Sequence, residues 1–224
     1  MRRRRVSPIV LTGQVDLPPS PKHRQADWAR ELWGQPGVEA GDVEQLPLAH
    51  ARMRWPGFRG SVTAVSDWLA VQGLPDVVGP ATSHGDLALM ACCGARYHHD
   101  GSQYGAKVFC NLFVSDTPEL VVHFPAIGKR IALLRGTVMV FDTCQPHGVV
   151  FKDRAGFDAA DFATRPDCVA AFLTWELPVD TLAVSRALQI GWYPDDHVVE
   201  PPMEEGLMRY GALAQVCPQT GAWR

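Results

Sequence analysis

The stretch Leu87-Ala-Leu-Met-Ala-Cys-Cys-Gly-Ala-Arg-Tyr-His-His-Asp100 opens a series of short apolar runs that continues to Leu177. Each run has strand length and ends in turn residues: Leu87–Cys93, Arg96–Asp100, Ala106–Val114, Leu120–Phe124, Arg130–Leu134, Thr137–Asp142, His147–Phe151 and Cys168–Leu177. No amphipathic helical period interrupts the series. That excludes an alternating parallel α/β arrangement and predicts a mainly β fold with an antiparallel double sheet. Eight such runs suit a jelly roll, the double-stranded β-helix, with flanking α-helices.

Within the series, His98 and Asp100 stand two residues apart, and on an extended strand side chains so spaced leave the same face. His147 opens a later run, Pro146-His147-Gly-Val-Val-Phe151. Two imidazole nitrogens and one carboxylate oxygen on one face of an octahedron, with the other positions open, form the ligand set of non-haem Fe(II) oxygenases. The pair His84-Gly85-Asp86 has the same form, but Ser, Gly and Pro surround it and it reads as a surface loop. His99 and His123 lack the parity for ligation and read as packing or hydrogen-bonding groups. Cys110 and Cys144 read as buried structure. Gln103, Tyr104 and Asn111 either line a pocket or satisfy local hydrogen bonds.

Outward from this core the chain is ordinary for one domain. It has 224 residues, 46% hydrophobic and 20% charged, with 18 Pro and 20 Gly that imply many turns. A net charge of −3 and a pI of 6.2 give no general attraction to nucleic acid or anionic membranes. Six cysteines include no Cys-x-x-Cys, so neither a zinc ribbon nor a disulfide framework is signalled, and a reducing cytoplasm is the expectation. No apolar run approaches the roughly 20 residues that span a bilayer. The Arg2–Arg5 cluster is followed by no small-residue cleavage site and reads as a solvated terminus.

Residues 1–60 read as an N-terminal wrapping segment with one helix around Gln25–Trp33. Residues 61–80 hold a helix starting at Ser61 or Ser66 with a serine cap and ending near Gln72, before Leu74-Pro75. Residues 87–177 are the β core. Residues 178–224 form a C-terminal helical extension, with helices at about Val179–Leu188 and Met203–Gln215. The polar Lys152–Pro166 loop has the length of a lid or binding loop.

The segment Leu87–Leu177 also resembles the Fe(II)/2-oxoglutarate-dependent dioxygenases, most of all their prolyl hydroxylase branch. The residues that carry the resemblance are Ala-Leu-Met-Ala-Cys-Cys leading to Tyr97-His98-His99-Asp100, then Val-Val-His-Phe-Pro125, Gly136-Thr-Val-Met-Val-Phe-Asp142 and Pro146-His147-Gly148-Val149. It implies Fe(II) held by His98, Asp100 and His147, with 2-oxoglutarate and O2 as cosubstrates, succinate and CO2 as products, and ascorbate as an accessory reductant. The family usually meets the far carboxylate of 2-oxoglutarate with a cation at the start of the eighth strand, which here is Arg165; Arg154 stays open as the alternative.

Strand parity supports Arg165: with Thr174 and Glu176 outward, Arg165, Val169, Ala171 and Leu173 face inward. Lys152 and Lys107 then point away, and Asp167 stands where a serine or threonine is common. Asn111 and Tyr104 are the expected cosubstrate-pocket residues. The substrate, a small molecule or peptide to be hydroxylated or demethylated, is not encoded legibly, nor is the oligomeric state. Two other classes are a cupin-like metal protein that does not use 2-oxoglutarate and a non-catalytic jelly-roll binding module. The adjacent His98-His99 pair and the aspartate argue against the cupin pattern of His-x-His with a later glutamate.

Overall fold

A computed structural model of the chain describes residues 3–4, 6–18, 39–47, 57–78, 87–163, 165, 168–193, 208–209 and 212–224. In chain order the strands are β1 (Arg3–Arg4), β2 (Val10–Gln14), β3 (Ala40–Gly41), β4 (Val43–Leu46), β5 (Leu87–His98), β6 (Lys107–Phe113) and β7 (Thr117–Phe124). They continue with β8 (Lys129–Leu133), β9 (Thr137–Asp142), β10 (His147–Phe151), β11 (Ala170–Pro178), β12 (Trp192–Tyr193), β13 (Met208–Arg209) and β14 (Ala212–Leu213). Helices α1 (Phe58–Val71), α2 (Gly101–Tyr104) and α3 (Leu182–Ala187) flank them.

Ten strands join in one curled sheet of order β2-β9-β6-β11-β5-β10-β7-β8, with β3 and β4 added to β5. β5 serves both halves of the jelly roll: Leu87–Cys92 pairs with β11, while Ala95 and His98 pair with β10. The sequence suggested two strands here. They are one, bent at Gly94, whose φ of 70° is left-handed and whose missing side chain leaves room for Phe162. A Cβ at Gly94 would lie 2.5 Å from that ring. Gly94→Ala is therefore expected to cost about 2–4 kcal/mol, the left-handed penalty plus displacement of a packed phenylalanine. Urea unfolding measures it, and an unchanged midpoint would show that the bend does not need glycine.

Both faces of the larger half are buried, and they differ in kind. One carries Leu89, Ala91, Val108, Cys110, Leu112, Val138, Val140, Leu173 and Trp175, all nearly or fully buried. Helix α1 packs here, its Trp68 crossing Gly13 of β2 so closely that a Cβ there would sit 2.1 Å from the indole nitrogen. The other face carries Phe109, Asn111, Phe141, Phe172, Thr174 and Glu176, matched across the ladders Phe109↔Phe141, Asn111↔Thr174 and Phe109↔Glu176. Phe141 in turn lies 4.8 Å, ring to ring, from His147, so this second face is the inside of the roll.

That reverses the expected parity of β11. Thr174 and Glu176 point inward, and Leu173 points to α1. A sheet covered on both sides is apolar on both, so alternation does not say which side is which; the more apolar face lies under the helix and the more polar one in the roll.

Other expectations shift for similar reasons. α1 begins at Phe58 with Gly57 as an N-cap that makes no side-chain bond, because its buried stripe of Ser61, Val65 and Leu69 extends a turn earlier than any serine cap would place it. Residues of the wrapping segment join the sheet itself, β2 on β9 and β4 on β5. Arg3–Arg4 pairs with Trp192–Tyr193 rather than running free, since ladder bonds use the backbone whatever the side-chain charge. The Val179–Leu188 helix appears as α3. Of the helix expected at Met203–Gln215, the described residues Met208–Arg209 and Ala212–Leu213 pair instead as antiparallel strands, in a stretch where Gly206 and Gly211 weaken helix formation. The Gln25–Trp33 helix, His84-Gly85-Asp86 and Asp167 lie outside the described residues. No helix among the described residues is long and apolar enough to cross a membrane, and no disulfide joins the cysteines.

Candidate metal centre

His98 ends β5 and His147 begins β10, and the two are direct partners in that antiparallel ladder. Their rings stand 4.5 Å apart. Asp100 is not on the strand, as the i, i+2 argument supposed, but in the turn that follows, at φ −99° and ψ 10° ahead of α2. Its amide donates to the Thr143 carbonyl at 2.8 Å, and this bond brings the carboxylate back over the histidines. Oδ1 lies 3.6 Å from His98 Nε2 and Oδ2 lies 3.6 Å from His147 Nε2. One ligand atom from each residue falls within 4.8 Å of the others. Ligands about 2.1 Å from a divalent ion stand roughly 3–3.6 Å apart at angles between octahedral and trigonal, so small adjustments would close the three on one ion.

The nitrogen that faces the cluster is set by the bond made by the other. His98 Nδ1 donates to the Arg96 carbonyl at 2.7 Å, and His147 Nδ1 donates to the Gln145 carbonyl at 2.9 Å. Both Nε2 atoms are left with lone pairs toward Asp100. Gln145 is placed by the turn before it: buried Asp142 accepts from the Cys144 amide at 2.9 Å and from the Ser7 amide at 2.8 Å, and Gln145 Nε2 donates to the Ser7 carbonyl at 3.0 Å. Asp142 and Ser7 were not foreseen, because the link joins positions far apart in the chain.

His147 is buried, and burial first, then the neighbouring His98, pull its pKa from 6.5 to about 4, against the opposing pull of Asp100. In the unfolded chain the ring takes its proton at higher pH than in the fold, so metal-free protein keeps full stability from this group above about pH 6.5 and loses it as pH falls toward 4. The loss is on the order of 3 kcal/mol. Urea midpoints at pH 7 and 4.5 check this against His147→Gln. An equal decline in both proteins would place the effect elsewhere.

Around His147 the wall is aromatic: Phe141 at 4.8 Å, Phe124 at 6.0 Å, and Phe109 at 6.1 Å beyond Phe141. Tyr104 caps this row 5.0 Å from Phe109, its pKa raised by burial and by nearby Glu176 and Asp100. Asn111 and Thr174 sit side by side inside the roll, and Asn111 Oδ1 and Thr174 Oγ1 are buried without a hydrogen-bond partner among the described residues.

The cations sort differently from the expectation. Arg165 precedes β11 in a loop, so strand parity does not reach it; its guanidinium stacks 5.0 Å over Phe151, which shares the face of β10 with His147. Arg154 points outward in an ion pair with Asp161 at 2.8 Å, and Lys152 is likewise exposed against Glu119 at 3.0 Å. Lys107 shares the inward face with Phe109 and Asn111. Lys129 lies across from Phe124 and reaches the Val10 carbonyl at 2.7 Å, joining the two edge strands β8 and β2. A lysine after a Pro-Ala-Ile-Gly turn carries no local sign that it points inward.

No family model matches the chain, and no curated protein matches its sequence. Similar solved structures include a prolyl-4-hydroxylase from Pseudomonas putida, 16% identical over 75% of this chain and 92% of that one, with a TM-score of 0.38. OsALKBH1 is 15% identical over 75% and 97%, with a TM-score of 0.37. The collagen prolyl hydroxylase of Paramecium bursaria Chlorella virus-1, solved with 2OG, is 9% identical over 75% and 94%, also at 0.37.

Proposed function

We propose that this chain is an Fe(II)- and 2-oxoglutarate-dependent oxygenase that hydroxylates a small-molecule or peptide substrate. The observation that carries the reading is the convergence of His98 Nε2, His147 Nε2 and the Asp100 carboxylate, from two strands and a turn, with both histidine tautomers already set for ligation. When bound, ferrous iron and the keto acid supply the oxidising chemistry.

The chain's own residues do the rest. The Nδ1–H bonds to Arg96 and Gln145 hold the two imidazoles in aim, and Asp100 offsets part of the cation's charge. Phe124, Phe141 and Phe109 line the metal side and keep water from it. A dicarboxylate entering this space needs a cation at its far end, because an unpaired buried charge is costly. Arg165, over Phe151, fills that role in this reading, with Lys129, across from Phe124, as the rival. The Thr174 hydroxyl and the Asn111 side-chain N–H donate to the remaining oxygens of the cosubstrate in this reading, which would give the buried Thr174 Oγ1 a partner.

The test is succinate release from 2-oxoglutarate with added Fe(II), O2 and ascorbate, first without and then with a panel of amino acids, peptides and small metabolites. His98→Ala is the control. Succinate is expected even without a primary substrate, slowly. Absence of turnover together with absence of ferrous binding would overturn the reading.

A further inference from the structure

The residues on either side of ligand His98 are both tied to the end of the chain. Residues 214–224 fold as a hairpin, with Val216 bridged to Trp223, Cys217 N donating to Ala222 O at 2.8 Å and Arg224 N to Gln215 O at 2.9 Å. Its turn uses Gly221 at φ 72°. The hairpin docks against the outer side of the metal-bearing half. The Tyr97 amide donates to Pro218 O at 2.9 Å and the Phe157 amide to Gln219 O at 2.9 Å. Gly221 lies so close to Tyr97 and Pro125 that a Cβ there would meet them at 2.7 and 2.4 Å.

His99 makes the link to the ligands. Its Nε2 donates to the Ala214 carbonyl at 3.0 Å, and its Nδ1 accepts from the Gly101 amide at 3.1 Å, so both nitrogens are engaged. Trp223 flanks the ring at 5.5 Å. One bond thus runs to the hairpin and the other closes the turn around Asp100.

We propose that the C-terminal hairpin is part of the metal site's frame, and that His99 is the positioning residue through which it sets Asp100 and His98. The inference rests on the reading of His98, Asp100 and His147 as ligands. The reason for it is geometric. Asp100 has left the strand; the Thr143 carbonyl accepts from its amide, the Gln103 and Tyr104 amides donate to its carbonyl, and His99 holds the turn from the other side through the Gly101 amide.

Co(II) titration of the full-length protein, followed by its visible absorption, tests this. His99→Ala is expected to weaken Co(II) binding tenfold or more, as loss of an orienting partner does. His99→Gln, which keeps a donor at the reach of Ala214 O, is expected to recover part of that affinity. Deleting residues 214–224 is expected to cost about as much as His99→Ala, and the two together little more, because they remove one connection.

A role confined to stability would lower the melting temperature of His99→Ala and leave its Co(II) affinity, measured in the folded protein, within twofold of the parent; that result overturns the proposal. So would fully additive losses in the double variant. Should His99→Ala fail to fold, Trp223→Ala is measured in its place, with a threefold or larger weakening expected and an unchanged affinity counting against the idea. If the parent protein itself takes up no Co(II), the ligand assignment has failed, and the hairpin proposal falls with it.

Discussion

His98→Ala is expected to weaken Co(II) or Fe(II) binding by at least roughly 100-fold, on the order of 3 kcal/mol, and to take succinate release to background. Orienting partners of metal ligands already account for 10- to 100-fold, so removing a ligand itself exceeds that. Asp100→Asn should do the same for a different cause. It keeps the shape but removes the negative charge that lies 3.6 Å from each imidazole Nε2. His147→Ala adds a stability cost, because the ring is buried against Phe141 and Phe124. Calorimetric or absorption titration under anaerobic conditions reads all three. Parent-like affinity in any of them would remove that residue from the ligand set, and in all three would remove the metal centre.

Arg165→Met is expected to raise the KM for 2-oxoglutarate by roughly 100-fold while leaving Co(II) affinity as it was. Leaving one partner of a buried charge pair alone costs about 3–5 kcal/mol, and the partial exposure of Arg165 reduces that toward the lower end. The split between the two readouts is what makes the result specific: a general loosening of the roll would move both. Lys129→Met is the companion variant. Its side chain ties β8 to β2 through Val10, so its main effect is expected on stability. Should Lys129→Met carry the KM change and Arg165→Met leave it alone, the anchoring cation is Lys129, and the assignment made from the start of β11 is wrong.

The succession of strand-length runs from Leu87 to Leu177 was legible because period-2 alternation and Gly, Pro and Asp breaks are local properties. β9 and β10 begin and end where those runs do. The convergence of His98, Asp100 and His147 was legible for a related reason, since the proposed metal chemistry needs two imidazoles and a carboxylate and few other positions in the core offered them. Asp100 reaches the site from a turn held by Thr143, and the i, i+2 strand geometry invoked for it does not apply.

The polarity of the sheet faces was the larger failure. Alternation along β11 separates odd from even residues, yet the sign of that separation depends on whether α1 or the ligand space covers a given face. With Trp68 against Gly13 on one side and Phe141 against His147 on the other, Thr174 and Glu176 turn out to face the ligand space. With the faces reversed, Lys107 lies on the inward side with Phe109 and Asn111, and parity no longer selects Arg165. Lys129 and Asp142 were missed because their partners, Val10 and Ser7, lie more than a hundred residues away.

Taken alone, the order of residues determined a mainly β core, its bounds and the identity of three convergent donors, because spacing and side-chain chemistry are written into neighbouring positions. Which way each sheet faces, what holds Asp100 and where the last eleven residues dock were decided only in three dimensions. These rest on contacts between segments distant in the chain, and no local pattern records which of them will meet.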